Sequence, residues 1–356
     1  MSRICVPFFW VALLGVFLFS AGAPAVSAPP IITEFQISSG PHLKDQPAVS
    51  GNNVAWHDNR NGNYDIYGYD LSSGSEFLIS GEVRDQSKTS VSGNTVVWQD
   101  IRNGNWDIYG YDLSTNGEFL ICNNSGRQYS PSVSGNTVVW QDGRNGNYDI
   151  YGYNLITKSE FQITSNSARQ ESPSISGNTV VWYDYRNGNG DIYGYNLTTK
   201  SEFQITNNLS EQDEPCVSGD TAVWRDLRNG KYDVYGYDLT TKSEFPIASD
   251  SNWQYAPSIS GNIVVWSDPR NGSFDIYGYD LISKSEFQIT SNSSAEKPSI
   301  SGNTVVWKDY RDGKYGIYGA TLDFGQEGAT PELSSTSLLL LGMLPVGLVW
   351  WRRKRS

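Results

Sequence analysis

Residues 130–164 read Ser130-Pro-Ser-Val-Ser-Gly-Asn-Thr-Val-Val-Trp140-Gln-Asp-Gly-Arg-Asn-Gly-Asn-Tyr-Asp-Ile150-Tyr-Gly-Tyr-Asn-Leu-Ile-Thr-Lys-Ser-Glu160-Phe-Gln-Ile-Thr164. Four short β-prone runs, each bounded by turn residues, fit into this stretch. The first ends at Ser134-Gly135-Asn136. The second, Thr137 to Asp142, is apolar on both faces, as expected of a strand sandwiched between neighbouring sheets. Asn145-Gly146 supplies a hairpin turn, because both residues tolerate positive φ. The third run is Asp149 to Leu155, and the fourth begins at Glu160 after a polar Thr157-Lys158-Ser159 turn.

The same unit recurs along the chain. Trp56, Trp98, Trp140, Trp182, Trp224 and Trp266 are 42 residues apart, and Trp307 follows after 41. Four strands in about 42 residues is the period of a propeller blade. Runs of β-branched and aromatic residues exclude the helical repeats of similar length. The reading is an all-β, seven-bladed β-propeller over residues 31–324, with four strands per blade and no second domain. Phe35, Phe77, Phe119, Phe161, Phe203, Phe245 and Phe287 keep the 42-residue spacing, yet the last copy lacks a fourth strand. Residues 33–38 are therefore expected to form the outer strand of the seventh blade, beside residues 316–322, and so close the ring.

Composition agrees. The 356 residues include 35 Gly, 22 Tyr and 12 Trp, with 18% charged side chains. That is too aromatic for disorder and too rich in glycine for a helical bundle. The chain carries 26 basic and 38 acidic side chains, a formal charge of −12. Residues 1–28 hold one base and no acid, and residues 331–356 hold four bases and one acid, leaving a body of net −16. Such a body repels nucleic acid and anionic membranes.

The two ends read as addresses. Residues 1–28 have a positive start at Arg3, an apolar run from Ile4 to Phe19 and a small-residue stretch suited to cleavage after Ala25, the pattern of a secretory signal. An uncleaved anchor is the alternative. After a linker at 325–330, residues 331–356 carry Pro331-Glu332-Leu333, an apolar run from Leu338 to Trp351 and the cluster Arg352 to Arg355. This tail resembles the PEP-CTERM sorting signal of exported bacterial proteins, with Leu333 where that motif has proline. The resemblance implies temporary membrane attachment, handling by export and sorting machinery, and delivery to the cell surface; a permanent anchor is the alternative. The blades in turn resemble TolB-like β-propellers, keeping Asp142, Arg144, Gly146, Asp149, Ile150 and Tyr151 of an Asp-Arg-x-Gly-x-x-Asp-Ile-Tyr core. They have Ser-Gly-Asn where that family favours Ser-Pro-Asp-Gly.

Repeated residues argue for architecture. The tryptophans are expected to fill the gaps between blades. The third-strand glycines, such as Gly68 and Gly152, are expected to make room for an indole of the adjacent blade. Asp58-x-Arg60-Asn61-Gly62-x-x-Asp65 lacks the twelfth-position Glu of an EF-hand loop and carries a fixed Arg, so Asp and Arg are read as a pair across the hairpin rather than a calcium site. No nucleophile elbow, HExxH motif or phosphate loop occurs, and outside the signal segment the histidines are His42 and His57. Cys122 and Cys216 fall in blades too far apart to bridge, so two free, largely buried thiols are expected. No cofactor and no metal are assigned.

The loop joining one blade to the next shares a face with the Asn-Gly hairpin and varies between copies, as binding loops on a rigid scaffold do. Gln86, Gln128, Gln170, Gln212 and Gln254 recur there and are read as structural. Trp253, Tyr255, Tyr129 and Trp106 do not recur, and are the candidate partner-binding residues, since aromatics anchor interfaces. The expected function is a non-enzymatic, exported surface module with a protein partner. A carbohydrate-binding propeller is the second reading and a glycan-cleaving enzyme the third.

Overall fold

A computed structural model of the chain describes residues 28–325 apart from residue 292. Most of the expected signal peptide and linker, and all of the expected sorting tail with Pro331 and Glu332, lie outside the described residues. Among the described residues there are seven four-stranded antiparallel sheets, and no helix long and apolar enough to cross a membrane. The third blade shows the pattern: Gln128–Ser134, Thr137–Asp142, Asp149–Asn154 and Ser159–Gln162, paired in that order.

The first strands of successive blades pack on one another around the whole ring and line its central channel, with the seventh meeting the first. The serine of each Ser-Gly turn stitches them together. Its Oγ accepts the backbone N–H of the equivalent glycine one blade on: Ser50 from Gly93, Ser92 from Gly135, Ser134 from Gly177, Ser176 from Gly219, Ser218 from Gly261, Ser260 from Gly302 and Ser301 from Gly51. All seven distances fall between 2.9 and 3.1 Å, so the hydrogen-bonded circle is complete.

The core lies between blades. Trp140 and Tyr151 of the third blade pack with Val97, Ile108 and Ile121 of the second. Burying such an indole contributes about 3 kcal/mol, and all seven repeat tryptophans are fully buried. The seam between the last blade and the first is built the same way, from Ile37, Val306 and Ile317 against Val49, Trp56 and Tyr67.

Closure follows the sequence expectation. Ile31–Gly40 pairs antiparallel with Tyr315–Asp323, placing Phe35 opposite Gly319. The expectation for the glycines is corrected in one respect. The group that fills the space over each of them is the phenylalanine of the same blade's outer strand, not an indole from its neighbour. A Cβ on Gly152 would lie 2.5 Å from the Phe161 ring, and one on Gly68 2.5 Å from Phe77. The two residues are directly opposed in register, and the indole instead lies toward the tyrosine one residue away, with Trp140 and Tyr151 stacked at 6.4 Å.

Candidate functional site

The repeated charges belong to the frame. In every blade the tryptophan indole donates to the aspartate two residues on, as Trp140 does to Asp142 at 2.9 Å. The arginine two residues further bonds that aspartate, as in Arg144 to Asp142 at 2.5 Å, and reaches the outer-strand Glu160. Its guanidinium lies 3.9 Å above the Tyr151 ring, a cation–π contact. Burial pushes the Asp142 carboxyl up, but hydrogen bonds from Arg144 and Trp140 outweigh it and hold the group below the usual carboxylate range. This corrects the expected pairing. Arg60 bonds Asp58 and Glu76 rather than reaching across the hairpin to Asp65, whose carboxylate takes hydrogen bonds from Asn61 and Asn63. The seventh network closes through Arg311 and Glu34.

Other repeated polar groups are also structural. Gln128 and its equivalents are fully buried, and each side-chain amide donates to the carbonyl two residues earlier, as Gln170 does to Ala168 at 2.5 Å. Hairpin asparagines clamp the interblade loop: Asn147 donates to the carbonyls of Asn166 and Ala168, both at 2.9 Å. Hairpin and interblade loop thus share one face. Cys122 is buried, and Cys216 is half-buried in the inner strand of the fifth blade; both thiols are free. Burial pushes the Cys122 thiol up to about 12.

What varies is the rim of the channel on that face. Each inner strand carries a bulge: Asp45 pairs with His57 and Ala48 with Ala55, leaving two residues opposite Trp56. The bulged residues are Gln46, Lys88, Ser130, Ser172, Glu214, Ala256 and Lys297, all with φ between 49° and 58°. Glycine is the usual occupant of this left-handed position, and another residue costs about 1–2 kcal/mol there. Seven side chains, largely different, are kept at seven such positions. They converge on the channel: Lys88 of the second blade lies within electrostatic reach of Lys297 of the seventh, Glu214 of the fifth and Asp45 of the first. Desolvation by the channel walls, with Lys297 adding to it, pushes the Lys88 ammonium down, although the side chain remains exposed to solvent.

The residue after each repeat tryptophan varies as well, and in three blades it braces the next one, whereas Tyr183 and Arg225 bond Glu171 and Asp213 within their own blades. Gln99 Oε1 accepts from the Ser130 N–H at 3.0 Å, Gln141 from Ser172 at 2.8 Å, and Ser267 Oγ from Lys297 at 3.0 Å. At the closing seam this role passes to charges. Lys297 Nζ lies 2.7 Å from Asp45, and Lys308 bridges Glu296 at 3.1 Å. His57 is buried beside Asp45, with its ring 5.0 Å from Tyr64. Burial, only partly opposed by Asp45, lowers its pKa to about 4.

The four aromatic candidates fall into two arcs on this face. Trp106 lies 6.0 Å from Tyr129, which meets Tyr148 at 6.0 Å. Trp253, 43% exposed, stacks on Tyr255 at 6.3 Å and touches Tyr232, while Tyr255 continues to Phe274 at 5.6 Å. Tyr255, Phe274, Ala256, Glu214 and Lys297 help to bound a cavity of about 240 Å³. Sequence reasoning missed the bulged residues and their neighbours after the tryptophans. The available signal was the proline inside the first strand, such as Pro131, which marks an edge or a bulge.

Among the described residues, no three His, Cys, Asp or Glu side chains are grouped to hold a metal ion. No protein-family model matches the chain, and no curated relative does. Solved structures with the same fold include TolB from Acinetobacter baumannii, at 18% identity and a TM-score of 0.50, covering 66% of this chain and 62% of that one. An oligogalacturonate lyase in complex with manganese has 13% identity and a TM-score of 0.63, over 83% of this chain and 97% of the lyase. A prolyl endopeptidase has 13% identity and a TM-score of 0.60, over 81% of this chain and 50% of the peptidase. These likenesses support a TolB-like β-propeller fold.

They also correct the expectation of a non-enzymatic chain. That expectation rested on missing catalytic motifs, whereas propellers of this shape include a lyase and peptidases. At such low identity the likeness carries the fold alone, and the fold does not separate binding from catalysis.

Proposed function

We propose that this chain is an exported cell-surface interaction module that holds a protein partner on the face around the mouth of its channel. The observation that carries the reading is the contrast between frame and rim. Trp-Asp-Arg-Glu networks repeat in every blade, while the strained bulge positions and their neighbours change from blade to blade. Strain retained with changing side chains is what a recognition surface on a rigid scaffold requires. The Trp253–Tyr255 arc supplies the anchor, since partly exposed aromatics dominate interface energies. Delivery through residues 1–28 and membrane attachment through residues 331–356 before processing belong to the same reading, on the strength of the sequence at the two ends.

The test is a pull-down from the native cell surface with wild type and a folded Trp253→Ala, Tyr255→Ala double variant. A surface protein retained by the first and lost from the second supports the reading. Equal recovery removes the arc from consideration.

A carbohydrate ligand is the second reading, favoured by the row Tyr232, Trp253, Tyr255 and Phe274 beside the cavity. An oligosaccharide bound on a glycan array by wild type, but not by the double variant, would favour it over a protein partner.

A further inference from the structure

We propose that the face opposite the channel mouth is a membrane-docking surface, on which four lysines meet the phosphates of an anionic lipid bilayer. The proposal rests on the membrane attachment in the reading above and adds which way the propeller stands.

The turns between third and fourth strands carry the observation. In the third to sixth blades they read Leu155-Ile-Thr-Lys158-Ser159, Leu197-Thr-Thr-Lys200-Ser201, Leu239-Thr-Thr-Lys242-Ser243 and Leu281-Ile-Ser-Lys284-Ser285. Each lysine sits in the left-handed backbone region, with φ between 52° and 56°. Glycine and asparagine enter that region most easily, and the first two blades have them there, as Gly74 and Asn116. Lysine is thus kept at an unfavourable position in four consecutive blades. All four side chains are exposed, and among the described residues none of their ammonium groups forms an ion pair or a hydrogen bond.

Backbone hydrogen bonds place these turns. The Leu155 N–H donates to the Asn136 carbonyl at 2.8 Å, and Leu197, Leu239 and Leu281 donate likewise to Asn178, Asp220 and Asn262. The lysine turns therefore lie beside the Ser-Gly turns, on the face away from the Asn-Gly hairpins and Trp253. Leu322 makes the same bond to the Asn303 carbonyl at 2.8 Å, so the last strand of the propeller also runs out on this face. Ile31 pairs with Asp323 there.

Three side chains add an apolar component. Ile156, Ile282 and Ile31, of the third, sixth and seventh blades, are 70%, 69% and 69% exposed. Lysines beside exposed isoleucines suit a lipid headgroup layer, where the ammonium pairs with phosphate and the apolar tip enters below it. A soluble polyanion would engage the lysines alone. The positive charge is strongest in the third and fourth blades, whose turns begin with Asn154 and Asn196. Asp238 and Asp280 hold that place in the fifth and sixth blades, and accept the N–H groups of Thr240 and Ile282 at 2.8 and 2.9 Å. Asp220 is the one carboxylate in the Ser-Gly turns of these four blades.

The body's net charge of −16 opposes approach to such a bilayer, so delivery falls to the tail. Twelve residues separate Gly325 from the apolar run that starts at Leu338, a tether of about 45 Å at full extension. At contact, charges more than about 8 Å away are screened, and the lysines decide which face settles. The rim with Trp253 then points away from the bilayer, open to a partner.

Fluorescence quenching of the intact chain in vesicles tests this. Cys5, Cys122 and Cys216 are replaced by serine, which stands at the equivalents of the last two as Ser80 and Ser174. One fluorophore is attached at Thr157→Cys, or at Ser251→Cys near Trp253. The vesicles hold phosphatidylglycerol and phosphatidylcholine in equal parts, with a headgroup-spin-labelled lipid as quencher. Quenching is expected at position 157 and not at 251. It should be lost at 157 in the quadruple variant Lys158→Asn, Lys200→Asn, Lys242→Asn, Lys284→Asn, and in vesicles of phosphatidylcholine alone. Asparagine is compatible with the turn, as Asn116 shows. Equal quenching at both positions overturns the proposal, as does quenching at 251 alone, or quenching at 157 that survives the quadruple change or the loss of anionic lipid. A chain that fails to sediment with the vesicles sinks membrane attachment and docking together. One that sediments without quenching at 157 sinks the docking face and leaves attachment through the tail standing.

Discussion

Phe35, from the first strand of the chain, covers Gly319 in the last. A Cβ on that glycine would stand 2.7 Å from the Phe35 ring. The same contact is made within each of the other blades between residues nine apart, as in Gly152 and Phe161. At the seam it joins the two ends of the propeller, and Glu34, the residue before Phe35, adds an ion pair with Arg311 of the last blade.

Removing this strand should open the ring. Deleting residues 31–38 is expected to lower the melting temperature sharply, because it uncovers the Ile317 and Val306 side of the closing core. Phe35→Ala alone should cost about 2–3 kcal/mol in urea denaturation, somewhat below the value for a fully buried ring. An unchanged melting temperature in the deletion would mean that the strand adds nothing to closure.

Filling the space over a third-strand glycine should overpack the blade. Gly152→Ala is expected to lose about 1–3 kcal/mol, and adding Phe161→Leu should restore part of it. If the second change only worsens the first, the ring contact is not the source of the cost. Denaturant midpoints of the two single variants and the double variant decide this.

His57 makes stability depend on pH. Its folded pKa of about 4 lies below the ordinary 6.5, so between these values the unfolded chain binds a proton that the folded chain refuses. Stability is therefore lost as pH falls from about 6.5 to 4 and levels off below, by on the order of 3 kcal/mol at most. Unfolding free energies of wild type and His57→Gln across this range should diverge only there. Glutamine is chosen because Gln99 and Gln141 stand at the equivalent positions. Parallel curves would show that His57 titrates alike in both states.

The aspartate and glutamate of one network should differ in weight. Asp142 is fully buried and receives both Trp140 and Arg144, so Asp142→Ala should cost about 3–5 kcal/mol. Glu160 is partly exposed on the outer strand, and Glu160→Ala should cost less than about 1 kcal/mol. Comparable losses from the two would contradict a buried anchor with a solvated outer partner. Calorimetry of both variants distinguishes the cases.

The repeat itself was legible in the sequence because architecture repeats. A tryptophan every 42 residues has to fill the same gap in every blade, and a phenylalanine with the same spacing before the first blade has to belong to the last. Sequence reasoning therefore determined the seven blades, their four strands and the closing strand. It misjudged which ring covers the third-strand glycines, since Phe161 reaches Gly152 through strand register, which spacing alone does not display. It also tied the absence of catalytic motifs to an absence of catalysis, although propellers of this shape occur in a lyase and within prolyl endopeptidases.

The binding face was only partly legible. Trp253, Tyr255, Tyr129 and Trp106 stood out by breaking the repeat, but Lys88, Glu214 and Lys297 looked like ordinary variation inside a strand. Two physical facts make them different. A bulge sets each in a left-handed conformation, and closure of the ring gathers positions from the first, second, fifth and seventh blades around one channel. Amino-acid order determines what each blade is; only the closed circle decides which residues, more than 200 apart in the chain as Asp45 and Lys297 are, share a charge environment, because that proximity comes from the geometry of seven blades and not from any one of them.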